Sequence, residues 1–308
     1  MTDVVIIDAL RSPIGRRNGG LAGLHPADLL GTVQAGLVER SGIDPAEVEQ
    51  VVTGCVSQVG QQSFNIGRTA WLAAGLPMST GVTTVDTQCG SSQQATNLAA
   101  SLVASGTAEV VVACGVESMS RVPIGSNSSK KLGLGGPLPK SYFPRYEPTS
   151  QFEGAERIAE RWGVTRDDTD EFAFRSQQLA AQAWEQDRFA GQVLSVDAPQ
   201  LGEDGEPTGD LQRISRDEGL RETTREGLAK LKPVAREDGV HTAGSSSQIS
   251  DGAAAVLMMS AEKAAALGLT PRAKVVDTCL VGVDPVLMLT GPIDATERLL
   301  ARTGRSID

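Results

Sequence analysis

Short apolar runs alternate with helical patterns along the first 120 residues of this 308-residue chain. The runs that predict strands cover residues 4–9, 48–55, 83–86 and 109–114. The helical patterns cover residues 26–41, 66–74 and 91–105, and a glycine follows each of them directly. Glycine is a common helix stop signal. Strands that alternate with helices indicate an α/β layered fold whose sheet is largely buried.

Charged side chains divide the chain into three parts. Residues 1–120 carry 5 basic and 10 acidic side chains, residues 121–244 carry 17 and 21, and residues 245–308 carry 6 and 7. Charged side chains are rarely buried without a partner. We therefore expect the first part to lie mostly in the interior and the middle part to form a solvated layer.

The middle part contains two predicted helices, at 151–162 and 167–187, after an irregular stretch rich in proline and glycine. Thr165 stands three residues before Asp168, a spacing that resembles a capping box with Asp in place of Glu. Further on, residues 273–277 faintly echo the first predicted strand, and one short echo is weak evidence for an internal repeat.

Composition excludes several classes of function. The formal net charge is −10, which argues against nonspecific nucleic-acid binding because that requires a basic surface. The longest apolar run, at 110–116, is far shorter than the roughly 20 residues of a membrane span. The first residues lack the basic start and apolar stretch of a signal peptide, so the cytoplasm is the expected location. The cysteines are widely spaced and only two histidines are present, so no metal site is predicted.

Cys89 is the candidate nucleophile. It lies between the predicted strand at 83–86 and the predicted helix at 91–105, which places its sulfur at a helix N-terminus. The helix dipole and the free N–H groups there favour a thiolate. The alternative is an ordinary buried cysteine, which is common in proteins. Burial is the favoured interpretation for the other three cysteines, which lie within or at the ends of apolar runs.

Other candidates have equally ordinary alternatives. His25 and His241 are the histidines that could serve as a base, although a surface or packing role is commoner. Arg221 and Arg225 could bind phosphate, although surface ion pairs are commoner. The small-residue loop at 243–248 could approach a ligand closely or could be a simple linker.

Several motifs in the same order resemble the thiolase family, which comprises 3-ketoacyl-CoA thiolases and acetyl-CoA acetyltransferases. The first half of the resemblance is carried by Arg11-Ser12-Pro13-Ile14-Gly15, Gln88-Cys89-Gly90-Ser91 and Gly115-Val116-Glu117-Ser118-Met119-Ser120. The second half is carried by Thr242-Ala243-Gly244 with Ser247, Asp251-Gly252-Ala253-Ala254-Ala255, Val283-Asp284-Pro285 and Gly291-Pro292-Ile293.

The resemblance implies roles for particular residues. Cys89 would take the acyl group as a thioester. Arg221 would lie near the adenine-nucleotide end of coenzyme A, Ser247 would contact the pantetheine arm, and Ala243 would belong to the same coenzyme A site. Met288 would line the acyl pocket. Coenzyme A and acyl-CoA would be substrates, and no cofactor or metal would be required.

The resemblance also implies an architecture. Family members have two similar α/β halves packed as five layers around two buried central helices, and they are commonly homodimers or homotetramers. Residues 1–120 and 245–268 would form the first α/β domain. Residues 121–244 would form a loop domain that covers coenzyme A, and residues 271–308 would begin the second α/β domain.

Two hypotheses follow from these residues. The first is thiolytic cleavage of 3-ketoacyl-CoA, or the reverse condensation, through an acyl-Cys89 intermediate. The second is a non-catalytic chain that binds coenzyme A or a partner chain. The second arises because the family's Asn-Glu-Ala-Phe, Gly-His-Pro and Cys-x-Gly-Gly segments do not occur in the sequence, which leads us to expect a C-terminally truncated family member. Short-chain biosynthetic thiolases carry a His-Met-Gly sequence before the first helix of the loop domain. This sequence has Ser150-Gln151-Phe152 at that place, so the resemblance is closer to degradative thiolases.

Overall fold

The computed structural model describes residues 2–128, 133 and 135–307, which divide into two units. The first unit comprises the described residues of Met1–Ser129, Ala190–Gly219 and Ile249–Val276. The second comprises those of Lys130–Phe189, Leu220–Gln248 and Asp277–Asp308.

Strands and helices are numbered in chain order. The strands are β1 Val4–Arg11, β2 Gly15–Arg16, β3 Gln50–Gly54, β4 Gly81–Val85, β5 Val110–Ser118, β6 Val196–Leu201, β7 Pro207–Ile214, β8 Ser250–Ser260 and β9 Ala273–Lys274. The helices are α1 Pro26–Ser41, α2 Ile66–Ala73, α3 Ser91–Ala104, α4 Gln151–Trp162, α5 Arg166–Glu185, α6 Arg225–Ala229, α7 Ala261–Ala266 and α8 Gly291–Thr303. In the described residues, no helix combines the length and apolar content needed to cross a bilayer.

The first unit is built on a mixed sheet with the strand order β4-β3-β5-β8-β1-β9, and β2 pairs with β8. β3 is parallel to both β4 and β5, whereas β8 is antiparallel to both β5 and β1. The expectation of an α/β fold with a buried sheet is confirmed. The two-residue β9 pairs antiparallel with β1, so part of the echo at 273–277 adds a strand at the edge of this sheet, and the internal repeat stays a prediction.

Both faces of the central strands are covered, which explains their continuous apolar runs. Val111 and Ala113 of β5 belong to the cluster that contains the small apolar stripe of α3. Val110 and Val112 point to the opposite face and belong to the cluster that contains α1, α2 and the fully buried Trp71. Burial of each large apolar side chain contributes about 1.5–3 kcal/mol, so the two clusters fix the sheet between its helices.

Two glycines let the first turn of α3 lie directly on the sheet. A Cβ at Gly54, the last residue of β3, would overlap the backbone of Ser91 and Ser92. A Cβ at Gly115 of β5 would overlap the Ser92 hydroxyl and would lie 3.0 Å from the Gly54 carbonyl oxygen. The absence of these two side chains therefore permits the close contact between the first turn of α3 and the sheet.

Local signals predicted several elements correctly. The helices at 26–41 and 151–162 have the predicted bounds. The Thr165 hydroxyl accepts a 3.2 Å hydrogen bond from the Asp168 N–H, and the Asp168 carboxylate accepts one of 2.9 Å from the Thr165 N–H. The capping box is therefore confirmed.

Strand β5 runs further than the apolar pattern indicated. The predicted strand at 109–114 continues to Ser118 because β8 supplies pairing partners as far as Asp251. Pairing of this kind is set by a distant segment, so it leaves no mark on the local sequence.

Residues 190–219 cluster with the first unit, although they fall inside the predicted loop domain at 121–244. They contain the β6–β7 hairpin, and Val196 and Ala198 of β6 are buried in the cluster with α1. The proposed division into a coenzyme A-covering domain and two α/β domains stays a prediction.

The second unit is organised around α4 and α5, which meet at Gly163 in the left-handed region with φ of +65°. A Cβ at Gly154 of α4 would lie 2.8 Å from the Leu287 carbonyl oxygen, so this glycine lets α4 approach the segment before α8. Arg166 donates hydrogen bonds of 2.8 and 3.0 Å to the carbonyl oxygens of Leu228 and Leu231, at the end of α6.

Candidate functional site

The carboxyl ends of three neighbouring parallel strands meet at one edge of the sheet. β3 and β4 end at Gly54 and Val85, and Gly54 pairs with Gly115 of β5. Open α/β sheets place their ligand sites outside the carboxyl ends of such strands. The segment that follows β4 carries Cys89, which lies immediately before Gly90, the N-cap of α3.

A closed turn presents Cys89. The Gln88 N–H donates a 2.7 Å hydrogen bond to the Asp86 carboxylate, and the Ser91 hydroxyl donates one of 2.6 Å to the Gln88 carbonyl oxygen. The same hydroxyl accepts a 3.0 Å bond from the Thr87 N–H. Gln88 has a φ of +54°, a left-handed conformation that costs a non-glycine residue about 1–2 kcal/mol. These bonds hold Gln88 in that conformation and direct Cys89 outward.

Cys89 is exposed, and its predicted position at a helix N-terminus is confirmed. Gly90 provides no side-chain cap for α3, so no side chain competes for the first-turn N–H groups. Those N–H groups and the helix dipole stabilise negative charge close to the sulfur. The arrangement leaves the Cys89 side chain accessible to a ligand beside the first turn of α3.

Cys55 and Cys114 are buried, as predicted. Burial, the largest cause, and the negative charges of Glu117 and Asp86 together raise the pKa of the Cys55 thiol to about 12. Burial likewise raises the pKa of Cys114 to about 11, against hydrogen bonds from its neighbours. Both groups therefore stay as inert thiols at neutral pH. Cys279 is partly buried and belongs to the second unit.

A polar network supports the strand ends beside Cys55. The Glu117 carboxylate accepts hydrogen bonds from the N–H groups of Val56 (2.9 Å) and Ser57 (3.2 Å) and from the Gln62 amide (2.8 Å). The Gln62 amide oxygen in turn accepts a 2.8 Å bond from the Ser118 N–H. This network ties the end of β5 to the loop that follows β3.

Of the two candidate bases, His25 has a structural role through its side chain, and His241 is held through its backbone. His25 is the N-cap of α1, and its Nδ1 accepts a 3.1 Å hydrogen bond from the Ala27 N–H. His241 lies in the second unit, where its backbone N–H donates to the carboxylate of Glu156. The capping of α1 by His25 matches the ordinary alternative to a catalytic base.

The candidate coenzyme A residues Arg221, Ala243, Ser247 and Met288 all belong to the second unit, whereas Cys89 belongs to the first. Arg221, Ala243 and Ser247 are exposed, and the Arg221 backbone N–H donates a 3.1 Å hydrogen bond to the Gln177 side chain. Met288 is partly buried and has a φ of +45°.

Arg225, the second candidate for phosphate binding, is already engaged. Its guanidinium forms two hydrogen bonds, of 2.7 and 2.9 Å, with Glu171 and lies 4.0 Å from the centroid of the Phe174 ring. The commoner alternative, a surface ion pair, is therefore the one observed.

Sequence reasoning missed Asp86 as part of the site, and it named Ser91 in a motif without giving it a role. Both are short polar side chains that hydrogen-bond to nearby backbone groups, and such residues are typical of turns and helix starts. Their spacing around Cys89 was the available signal. In the described residues, no group of three or more His, Cys, Asp or Glu side chains is placed to hold a metal ion.

Comparisons with known proteins match the sequence and the fold of this chain. The family model for the thiolase N-terminal domain matches residues 4–262. The steroid 3-ketoacyl-CoA thiolase FadA6 of Mycobacterium tuberculosis is 42% identical over all of this chain and 74% of its own length. A 3-ketoacyl-CoA thiolase of Idiomarina loihiensis is 40% identical over all of this chain and 78% of its own length. The crystal structure of the Bacillus anthracis acetyl-CoA acetyltransferase superposes with a TM-score of 0.88 at 36% identity, over all of this chain and 78% of that chain.

Proposed function

This chain belongs to the thiolase family and is an acyltransferase, and we propose that it cleaves 3-ketoacyl-CoA with coenzyme A through an acyl-Cys89 intermediate. The observation that carries the proposal is the exposure of Cys89 at the uncapped start of α3. The names of the relatives support the substrate class, since both thiolases described above are named for 3-ketoacyl-CoA.

The proposed reaction has two halves. The Cys89 thiolate attacks the 3-keto carbon, and the N–H groups at the start of α3 stabilise the negative charge on the carbonyl oxygen. The bond between carbons 2 and 3 then breaks, its electron pair stays on carbon 2, and a proton added there gives acetyl-CoA. The shortened acyl group remains on Cys89. The thiolate of a second coenzyme A attacks this thioester, releases shortened acyl-CoA and restores the Cys89 thiolate.

The second unit would bind the coenzyme. We propose that Arg221 contacts the nucleotide end, that Ala243 and Ser247 contact the pantetheine arm, and that Met288 lines the acyl pocket. The exposure of Arg221, Ala243 and Ser247 supports these roles, because each can be reached by a ligand. Coenzyme A serves as a substrate, and the scheme needs no metal or redox cofactor.

The test replaces Cys89 with Ala and uses Cys279→Ala as the matched control. In the parent protein and the control we expect thiolysis of a 3-ketoacyl-CoA and an acyl adduct on the Cys89 peptide by mass spectrometry. In Cys89→Ala we expect the loss of both. Thiolysis that survives in Cys89→Ala would falsify the assignment of the nucleophile. An inactive parent that still binds coenzyme A would support the alternative of a binding protein without turnover.

We propose a homodimer built on β4, and a homotetramer is an alternative outcome of the test below. β4 is an edge strand of the sheet, and the neighbouring Phe64 and Met78 are 95% and 81% exposed. An exposed edge with apolar neighbours favours pairing with a second copy, and a two-fold axis would bring the same strand from each copy together.

Sedimentation velocity should find the Phe64→Asp variant monomeric. The control is Phe172→Asp, which changes an exposed phenylalanine of the second unit and should leave the assembly intact. A Phe64→Asp variant that assembles like the parent would rule out this surface.

The four free cysteines support the cytoplasm as the proposed location, since reduced thiols are usual there.

A further inference from the structure

A buried carboxylate on α4 holds the turn that leads into the proposed pantetheine loop. Glu156 is only 2% exposed. Its two carboxylate oxygens accept hydrogen bonds from the backbone N–H groups of Val240 (2.8 Å) and His241 (3.0 Å). A buried carboxylate is costly unless its oxygens are bonded, and these two N–H groups supply one bond to each oxygen.

The same turn is held from a second helix. The hydroxyl of Thr169, a buried residue of α5, lies 2.9 Å from the carbonyl oxygens of both Val240 and Arg166, so its one proton is shared between these two acceptors. Gly239 permits the approach of the carboxylate, because a Cβ there would lie 2.7 Å from Glu156 Oε1. α4 and α5 therefore hold both backbone polar groups of Val240.

The loop beyond this turn is anchored on Thr242, which is fully buried. The Thr242 N–H donates a 3.0 Å hydrogen bond to the Ser245 hydroxyl, and the Thr242 hydroxyl accepts a 3.1 Å bond from the Gly244 N–H. The Ser246 hydroxyl donates a 2.7 Å bond to the Thr242 carbonyl oxygen. Because Thr242 directly follows His241, the carboxylate of Glu156 is bonded to the residue that leads into the loop with the exposed Ala243 and Ser247.

We propose that Glu156 is a positioning residue for coenzyme A. It fixes the 243–247 loop through the backbone of Val240 and His241 and does not touch the ligand. This inference rests on the proposed function of that loop. Replacement of Glu156 by Gln keeps the size of the side chain and puts an NH₂ group opposite one of the two backbone N–H groups. One hydrogen bond is lost and a buried donor faces a donor, so the loop shifts or loosens.

The test measures coenzyme A binding directly by isothermal titration calorimetry on the full chain, with coenzyme A as the only ligand. Glu156→Gln should raise the Kd about fivefold or more, which corresponds to one lost hydrogen bond. Glu160→Gln is the matched control, because it lies one turn further along α4, has a 62% exposed side chain and pairs with Arg236 on the surface. It should bind coenzyme A like the parent.

Thr169 supplies an independent variant in case Glu156→Gln does not fold. Thr169→Val removes the bond to the Val240 carbonyl oxygen and should weaken coenzyme A binding in the same direction, whereas Thr169→Ser keeps the hydroxyl and should restore it. The rate at which iodoacetamide alkylates Cys89 should stay unchanged in every variant. That rate reports on the first unit, so it separates a local loop effect from general unfolding.

Unchanged coenzyme A affinity in a folded Glu156→Gln, or in Thr169→Val, overturns the positioning role. An equal loss in Glu160→Gln overturns it as well, because the effect would then be one of surface charge. Failure of the proposed nucleophile has a separate signature, the survival of thiolysis in Cys89→Ala. The calorimetric readout is independent of turnover, so the two failures are distinguishable.

Discussion

The contact between the first turn of α3 and the sheet makes a ranked prediction for three glycine-to-alanine variants. Gly115→Ala places a methyl group against the Ser92 hydroxyl and 3.0 Å from the Gly54 carbonyl oxygen. Overpacking of this kind costs about 1–3 kcal/mol, and alanine in a strand returns about 0.5–1 kcal/mol relative to glycine. We therefore expect a net loss of about 1–2 kcal/mol in the free energy of unfolding.

Gly54→Ala should be more destabilising, with a total loss of about 3 kcal/mol or more in the free energy of unfolding. Its methyl group would meet the backbone of Ser91 and Ser92, and backbone atoms cannot rotate away. Gly81→Ala is the matched control on β4. Its nearest neighbour would be the Glu49 carbonyl oxygen at 3.9 Å, so we expect a neutral or slightly stabilised protein.

A second substitution distinguishes the steric clash of Gly115→Ala with a side chain from that of Gly54→Ala with the backbone. Ser92→Ala removes the hydroxyl that Gly115→Ala meets and leaves the Ser92 Cβ at 3.1 Å. The double variant should recover about 1 kcal/mol, a coupling typical of residues in contact. Ser92→Ala should give no recovery with Gly54→Ala, because there the collision is with backbone.

Urea unfolding gives the free energies, and the slope with denaturant shows whether the transition itself has changed. The alkylation rate of Cys89 gives the local readout, since a displaced first turn of α3 moves the thiol next to it. Parental stability in Gly115→Ala, or rescue of Gly54→Ala by Ser92→Ala, would show that the two glycines do not set the position of the helix.

Two further predictions concern titratable groups. Iodoacetamide at pH 8 should modify Cys89 and leave Cys55 and Cys114 intact. The reason is that both thiols are buried and have raised pKa values, about 12 for Cys55 and about 11 for Cys114. Peptide mapping that finds Cys55 modified first in the folded protein would contradict this order. Burial acts to raise the pKa of Asp8, but hydrogen bonds from Arg40, the Ala9 N–H and Arg272 outweigh it and hold the pKa below its ordinary value. Its contribution to stability is therefore complete above about pH 4 and is lost as the pH falls through the lowered folded-state pKa. The stability difference between the parent and Asp8→Asn should shrink in acid, and an undiminished difference at the lowest pH at which both proteins stay folded would refute the assignment.

Local chemistry made part of the fold predictable. α1 has a proline at its first position and a left-handed glycine after its last, and both are signals that act within a few residues. The position of Cys89 followed from the same kind of information, because a strand, a short turn and a helix follow one another directly in the sequence.

The rest depended on contacts between distant residues. Glu156 meets His241 across 85 positions, and nothing near either residue marks the pairing. Only the fold shows that the β6–β7 hairpin joins the first unit or that β9 pairs with β1. Asp86 and Ser91 were within reach of sequence reasoning, because a polar residue on either side of a turn is a local pattern.

The central place of β8 in the sheet has a consequence for biosynthesis. β8 separates β5 from β1, yet it begins at Ser250, long after β5 ends at Ser118. A ribosome that adds 5–20 residues per second needs on the order of ten seconds to make the intervening chain. During that delay β1 lacks both of its strand partners and β5 is paired on one side only, with β3. The emerging polypeptide is therefore a natural client for chaperones until translation passes residue 260.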